Sequence, residues 1–79
     1  MTIDELRTYI LTEILDEPNG SLGDDEDLLL SDTLDSLSVT RLVQHIEARS
    51  GLEIPPEDVT LENFATLSAM AAYVQGRLG

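Results

Sequence analysis

Apolar residues recur at helical spacing in three stretches of the chain. Ile3, Leu6, Ile10 and Ile14 form the first stripe, widened by Leu11 and Leu15. Thr2-Ile3-Asp4-Glu5 precedes it as a capping box, in which the threonine hydroxyl and the glutamate carboxylate satisfy free amides at a helix start. Pro18-Asn19-Gly20 predicts the stop. The second stripe is Val39, Leu42, Val43 and Ile46, in a helix predicted to start at Asp35 or Ser36 and to end near Ser50, with Gly51 beyond it. The third is Leu67, Met70, Ala71, Val74 and Leu78, capped by Thr66 and running to the C-terminus.

Between the first two stripes, residues 17–35 show no period. That is long for an unstructured connection, so the segment is expected to dock or to hold a short helical turn over 25–29, anchored by Leu22, Leu28, Leu29, Leu30 and Leu34. Pro55-Pro56 breaks the chain again, and Pro56 can open a short helix over 57–62, because a proline at the first helical position loses no intrahelical bond. No strand alternation and no internal repeat occurs. The pattern predicts an all-α four-helix bundle with three longer helices, one short helix and a long first loop.

At 79 residues the chain is expected to form one domain, residues 1–79, since a second core could not bury enough apolar surface to offset its own ordering. It contains no cysteine, which excludes disulfides, thiolate metal sites and a protein-borne thiol nucleophile. Sixteen Asp and Glu stand against four Arg and no Lys, for a net charge of −12. A polyanion of that density repels phosphate backbones and anionic lipid, so neither nucleic acid nor a membrane is an expected partner; basic protein patches are. With 42% hydrophobic residues the composition is that of a folded domain, and no apolar run approaches the length of about 20 residues that spans a bilayer. A soluble, cytoplasmic monomer is the expectation.

Few groups offer chemistry. Asp24, Asp25, Glu26 and Asp27 invite a calcium loop, but that loop needs an oxygen ligand at its fifth position and a glycine at its sixth, where Leu28 and Leu29 stand. A solvated acidic loop fits better, and no metal is expected. A nucleophilic serine needs a base within about 3 Å, and the sole histidine is His45. From Ser36, nine residues of helix turn through roughly 900° and rise roughly 13 Å, so the two point apart. Ser36 itself admits two readings. It caps a helix, or it carries a phosphate, which the free amides and macrodipole of a helix start favour.

Asp35-Ser36-Leu37 resembles the motif of the acyl carrier and peptidyl carrier protein family. The likeness extends through Ile54-Pro55-Pro56-Glu57-Asp58 and Phe64-Ala65-Thr66-Leu67 to Tyr73-Val74. It implies a protein that is not an enzyme: a phosphopantetheinyl transferase attaches 4′-phosphopantetheine from coenzyme A to Ser36, and the arm's thiol holds an acyl or aminoacyl group. Asp35 would order the helix start and meet the transferase, and Leu37 would be an apolar contact for partners.

On a helical wheel Leu37, Thr40, Arg41, Gln44 and Ala48 fall on one arc away from the expected core, a face for partners, with Leu34 adding apolar surface before the motif. The fatty-acid carriers usually present acids where Ser38, Arg41 and Ala48 stand here. The resemblance therefore implies a free-standing carrier of polyketide, nonribosomal peptide or related specialised biosynthesis, served by a loading enzyme, acyltransferase or synthase with basic docking patches. A housekeeping fatty-acid carrier and a noncatalytic acidic helical adaptor are the alternatives.

Overall fold

The computed structural model describes residues 1–79 and contains helices and turns but no strand. Helix α1 (Ile3–Tyr9) begins as its capping box predicts: Thr2 Oγ1 accepts from the Glu5 amide at 3.1 Å, and Glu5 Oε1 accepts from the Thr2 amide at 3.3 Å. It continues as a π-helical segment, Ile10–Ile14, closed by a Leu15 amide bond to the Ile10 carbonyl. The wider π turn brings the adjacent residues Ile10 and Leu11 both into the core. The helix ends at Ile14, short of Pro18, with Leu15 as its C-cap and Asp16 just beyond at a left-handed φ of 54°.

Helix α2 (Ser36–Ser50) has the predicted ends, with Asp35 as N-cap and Gly51 at φ 76° closing it. The short helix is divided. Pro56–Asp58 form a single 3₁₀ turn, Val59 leaves helical geometry, and Thr60, extended, caps helix α3 (Leu61–Phe64) by accepting from the Asn63 amide at 3.3 Å. Thr60 is a better cap than an interior helix residue, which explains why no continuous helix covers 57–62. Helix α4 (Leu67–Leu78) starts at the Thr66 cap.

α1 packs on α4, α3 on α4, and the π segment on α2. Leu6 and Ile10, Leu42 and Ile46, Phe64, and Leu67, Met70 and Val74 bring all four helices to one core, and no polar residue is buried there. The loop adds Leu22, Leu28 and Leu34. Two backbone bonds moor it: the Leu28 amide donates to the Ala65 carbonyl at 2.7 Å and the Ser68 amide to the Asp24 carbonyl at 3.0 Å. The turn expected near 25–29 is non-helical and organised by Asp27, whose Oδ1 accepts from the Leu29 and Leu30 amides. Two expectations fail here. Leu30 is no anchor, being 73% exposed, and Leu34 adds no outer surface, being 3% exposed, because its amide bonds the Leu28 carbonyl and draws the side chain inward.

Outside the core, α1 and its π segment run antiparallel to α2 in a ladder of three rungs. Arg49 pairs with Glu5 at 3.2 Å, His45 stacks on Tyr9 with ring centroids 3.7 Å apart, and Arg41 donates to the Glu13 carbonyl at 2.9 Å. The last rung places a cation on the carbonyl end of the first helix, where the dipole favours it.

Leu28→Ala should cost about 3 kcal/mol in chemical denaturation, since it leaves a cavity at a fully buried site. Burial, with Arg49 nearby, holds the His45 pKa below 6.5. The unfolded chain then binds the proton more readily, so this contribution to stability is present above about pH 6.5 and lost as pH falls below it. The melting temperature of wild type relative to His45→Gln should accordingly fall between about pH 7.5 and about pH 5.5; parallel profiles would remove His45 from the ladder's energetics.

Candidate functional site

The start of α2 is set by Asp35, whose extended backbone lets Oδ1 accept from the Ser38 amide at 2.8 Å. That bond holds the Asp35 carboxyl below its ordinary pKa. Because Asp35 supplies the cap, Ser36 does not. Its side chain is exposed and its hydroxyl makes no hydrogen bond within the protein, while its carbonyl accepts from Thr40 Oγ1 at 2.9 Å. Leu37, beside it, is 71% exposed.

His45 stacks on α1, so the only imidazole in the chain is committed away from Ser36. Three of the four loop acids are likewise engaged with protein groups: Asp24 pairs with Arg7, Glu26 accepts from the Gly23 amide, and Asp27 organises its turn. No three carboxylates or imidazoles come close enough to share a metal ion.

Ser36 opens onto a groove of about 620 Å³ between the loop, α2 and the Val59–Leu61 segment, with Leu29, Leu34, Val39, Thr40, Val59 and Leu61 among its walls. A second groove of about 280 Å³ shares Val39, Thr40 and Val59 with the first and runs on past Val43, Gln44 and Glu47 to Ile54 and Pro56. The wall opposite α2 is held from outside by α4: Tyr73 Oη donates to Asp58 Oδ2 at 2.6 Å, and Arg77 bonds Asp58, the Tyr73 hydroxyl and the Glu53 carbonyl. Burial and the Asp58 bond raise the Tyr73 pKa, so that hydroxyl remains a donor.

A hydroxyl at the positive end of a helix, free of internal bonds and adjoining an elongated groove, fits a phosphate-linked flexible chain. A family model described as "Phosphopantetheine attachment site" matches residues 4–74. The chain belongs to that family of carrier proteins. Such carriers hold 4′-phosphopantetheine as a covalent prosthetic group. No curated protein sequence matches this one significantly.

The expected site residues divide on the carrier's surface. Ser36, Asp35, Leu37, Thr40, Gln44 and Ala48 are exposed around α2, whereas Leu34 floors the groove from inside. Arg41 is exposed but tied to the first helix rather than free on the outer arc. Sequence reasoning missed Glu47, Val59 and Leu61 as groove residues. Glu47 was open to detection, since eleven residues of helix return it to within about 20° of Ser36. The other two depend on the divided short helix.

Asp35→Ala should lower the melting temperature at neutral pH. The sign follows from the depressed carboxyl: its contribution is present above the ordinary value of 3.8 and is lost as pH falls through the folded-state value, so wild type and variant should converge in acid. Ser36→Ala, which removes no hydrogen bond, should leave the melt within about 0.5 kcal/mol of wild type.

Proposed function

We propose that Ser36 carries the phosphopantetheine arm and that the protein, itself without catalytic activity, ferries acyl or aminoacyl thioesters between partner enzymes. The observation that carries this reading is the division of labour at the start of α2, where Asp35 caps and leaves the Ser36 hydroxyl unbonded and exposed. In the loading reaction the Ser36 Oγ attacks the pantetheine-bearing phosphorus of coenzyme A. An Oγ–P bond forms, the P–O bond to 3′,5′-ADP breaks, and the hydroxyl proton passes to a base on the transferase, with magnesium balancing the phosphate charge. The carrier offers no such base, since its histidine faces α1. The adaptor reading loses its footing for the same reason that Ser36 is free: the helix does not need it as a cap.

The pathway we infer is specialised, of polyketide, nonribosomal peptide or related type. Supporting it, Ser38 and Ala48 carry no charge, and Arg41 places a cation on the helix where the fatty-acid carriers resembled here show acids. Loading enzymes, acyltransferases or synthases with basic patches would meet Leu37, Thr40, Gln44 and Ala48, drawn by the net charge of −12. Leu34 takes no part, being buried.

Incubation with coenzyme A, magnesium and a promiscuous transferase should add one arm by intact-mass measurement, and Ser36→Ala should gain nothing while melting normally. An unmodified wild type, or a modified alanine variant, would refute the assignment.

A further inference from the structure

The groove that begins at Ser36 carries carboxylates at both ends. Asp32 and Asp35 line it beside the serine among polar and apolar neighbours, and at its far, more apolar end stands Glu47, half-buried. Glu47 Oε2 accepts from the Ile54 amide at 2.9 Å, and Glu47 takes part in none of the four ion pairs of the chain. Arg77 lies across a neighbouring groove from it, but its guanidinium is engaged with Asp58, Tyr73 and the Glu53 carbonyl. Glu47 thus lines the groove end with no cation paired to it.

Its distance from Ser36 matches the arm. The eleven residues between them rise roughly 16 Å, and Ser36, Thr40, Val43 and Glu47 follow one face of α2. A phosphopantetheine arm has about 13 bonds from phosphorus to sulfur, roughly 16 Å at the extension per bond of an open backbone. An arm laid along the groove therefore ends its thioester beside Glu47. A saturated acyl chain would bring methylenes against that carboxylate and strip its water without replacing it, which is costly. The ammonium of an aminoacyl thioester would pair with it, as opposite charges in a partly desolvated site do.

We propose that the groove holds the arm along α2 and that Glu47 selects aminoacyl over plain acyl cargo by pairing with the cargo's free ammonium. The proposal rests on Ser36 bearing the arm. Alanyl- and propionyl-coenzyme A, which differ by that ammonium alone, supply the test: each is transferred to wild type and to Glu47→Gln, and backbone amide signals are compared by NMR. The glutamine keeps a carbonyl for the Ile54 amide, so folding is preserved. In wild type the alanyl form should shift the Glu47 and Ile54 amides well beyond the propionyl form, and in Glu47→Gln that difference should vanish. Modified proteins with the same shifts for both cargoes, or a difference that survives in Glu47→Gln, would overturn the role of Glu47 alone. A wild type left unmodified would instead bring down the attachment at Ser36, and this inference with it.

Discussion

The bond from the Leu28 amide to the Ala65 carbonyl holds the site in place. A loop of nearly twenty residues would by itself leave the start of α2 free to wander, because closing and ordering such a segment costs entropy that few contacts offset. Leu28 is wholly buried, its amide is satisfied by the α3–α4 junction, and its carbonyl in turn receives the Leu34 amide. The loop is thereby folded back on itself one residue before Asp35. From that fixed point Asp35 reaches the Ser38 amide, and Ser36 emerges at the surface.

The arginines follow a similar economy. Each of the four joins two elements: Arg7 binds the loop, Arg41 and Arg49 bind α2 to the first helix and its π extension, and Arg77 binds α4 to the 53–58 segment. Surface ion pairs contribute little singly. In a chain of net charge −12, however, each also draws an acid or carbonyl away from its like-charged neighbours. The cation at position 41 consequently has an internal task, completing the ladder between α2 and the first helix.

Local rules made much of this legible. The capping box at Thr2, Asp35 at the second helix, Gly51 beyond it and Thr66 at the last helix each depend on a few adjacent residues, and each is where the sequence places it. What escaped depends on tertiary competition. Nothing adjacent in sequence tells Leu30 from Leu34, since both follow apolar residues or turns; the Leu28 hairpin-like bond decides which points inward. The helix predicted over 57–62 fails because Thr60 gains more as a cap than inside a helix, and Asn63 Nδ2 ties the break to the Asp58 carbonyl at 2.9 Å. The widened stripe anticipates burial of both Ile10 and Leu11, but the π geometry that follows Tyr9 has no marker in a period of 3.6.

A serine used as both cap and attachment point would face conflicting demands. As a cap its oxygen must point back along the helix and accept an amide; as an attachment point the same oxygen must face outward with a lone pair free for phosphorus. Putting an aspartate first resolves the conflict, because the carboxylate is the stronger acceptor and its lowered pKa keeps it ionised through the neutral range. The Ser36 amide, which no helical carbonyl can reach, would remain available to the phosphodiester of the proposed arm. The order of the two residues matters as much as their identity: with serine in the cap position and aspartate after it, the hydroxyl would turn inward and a carboxylate would repel the phosphate of the arm we propose there.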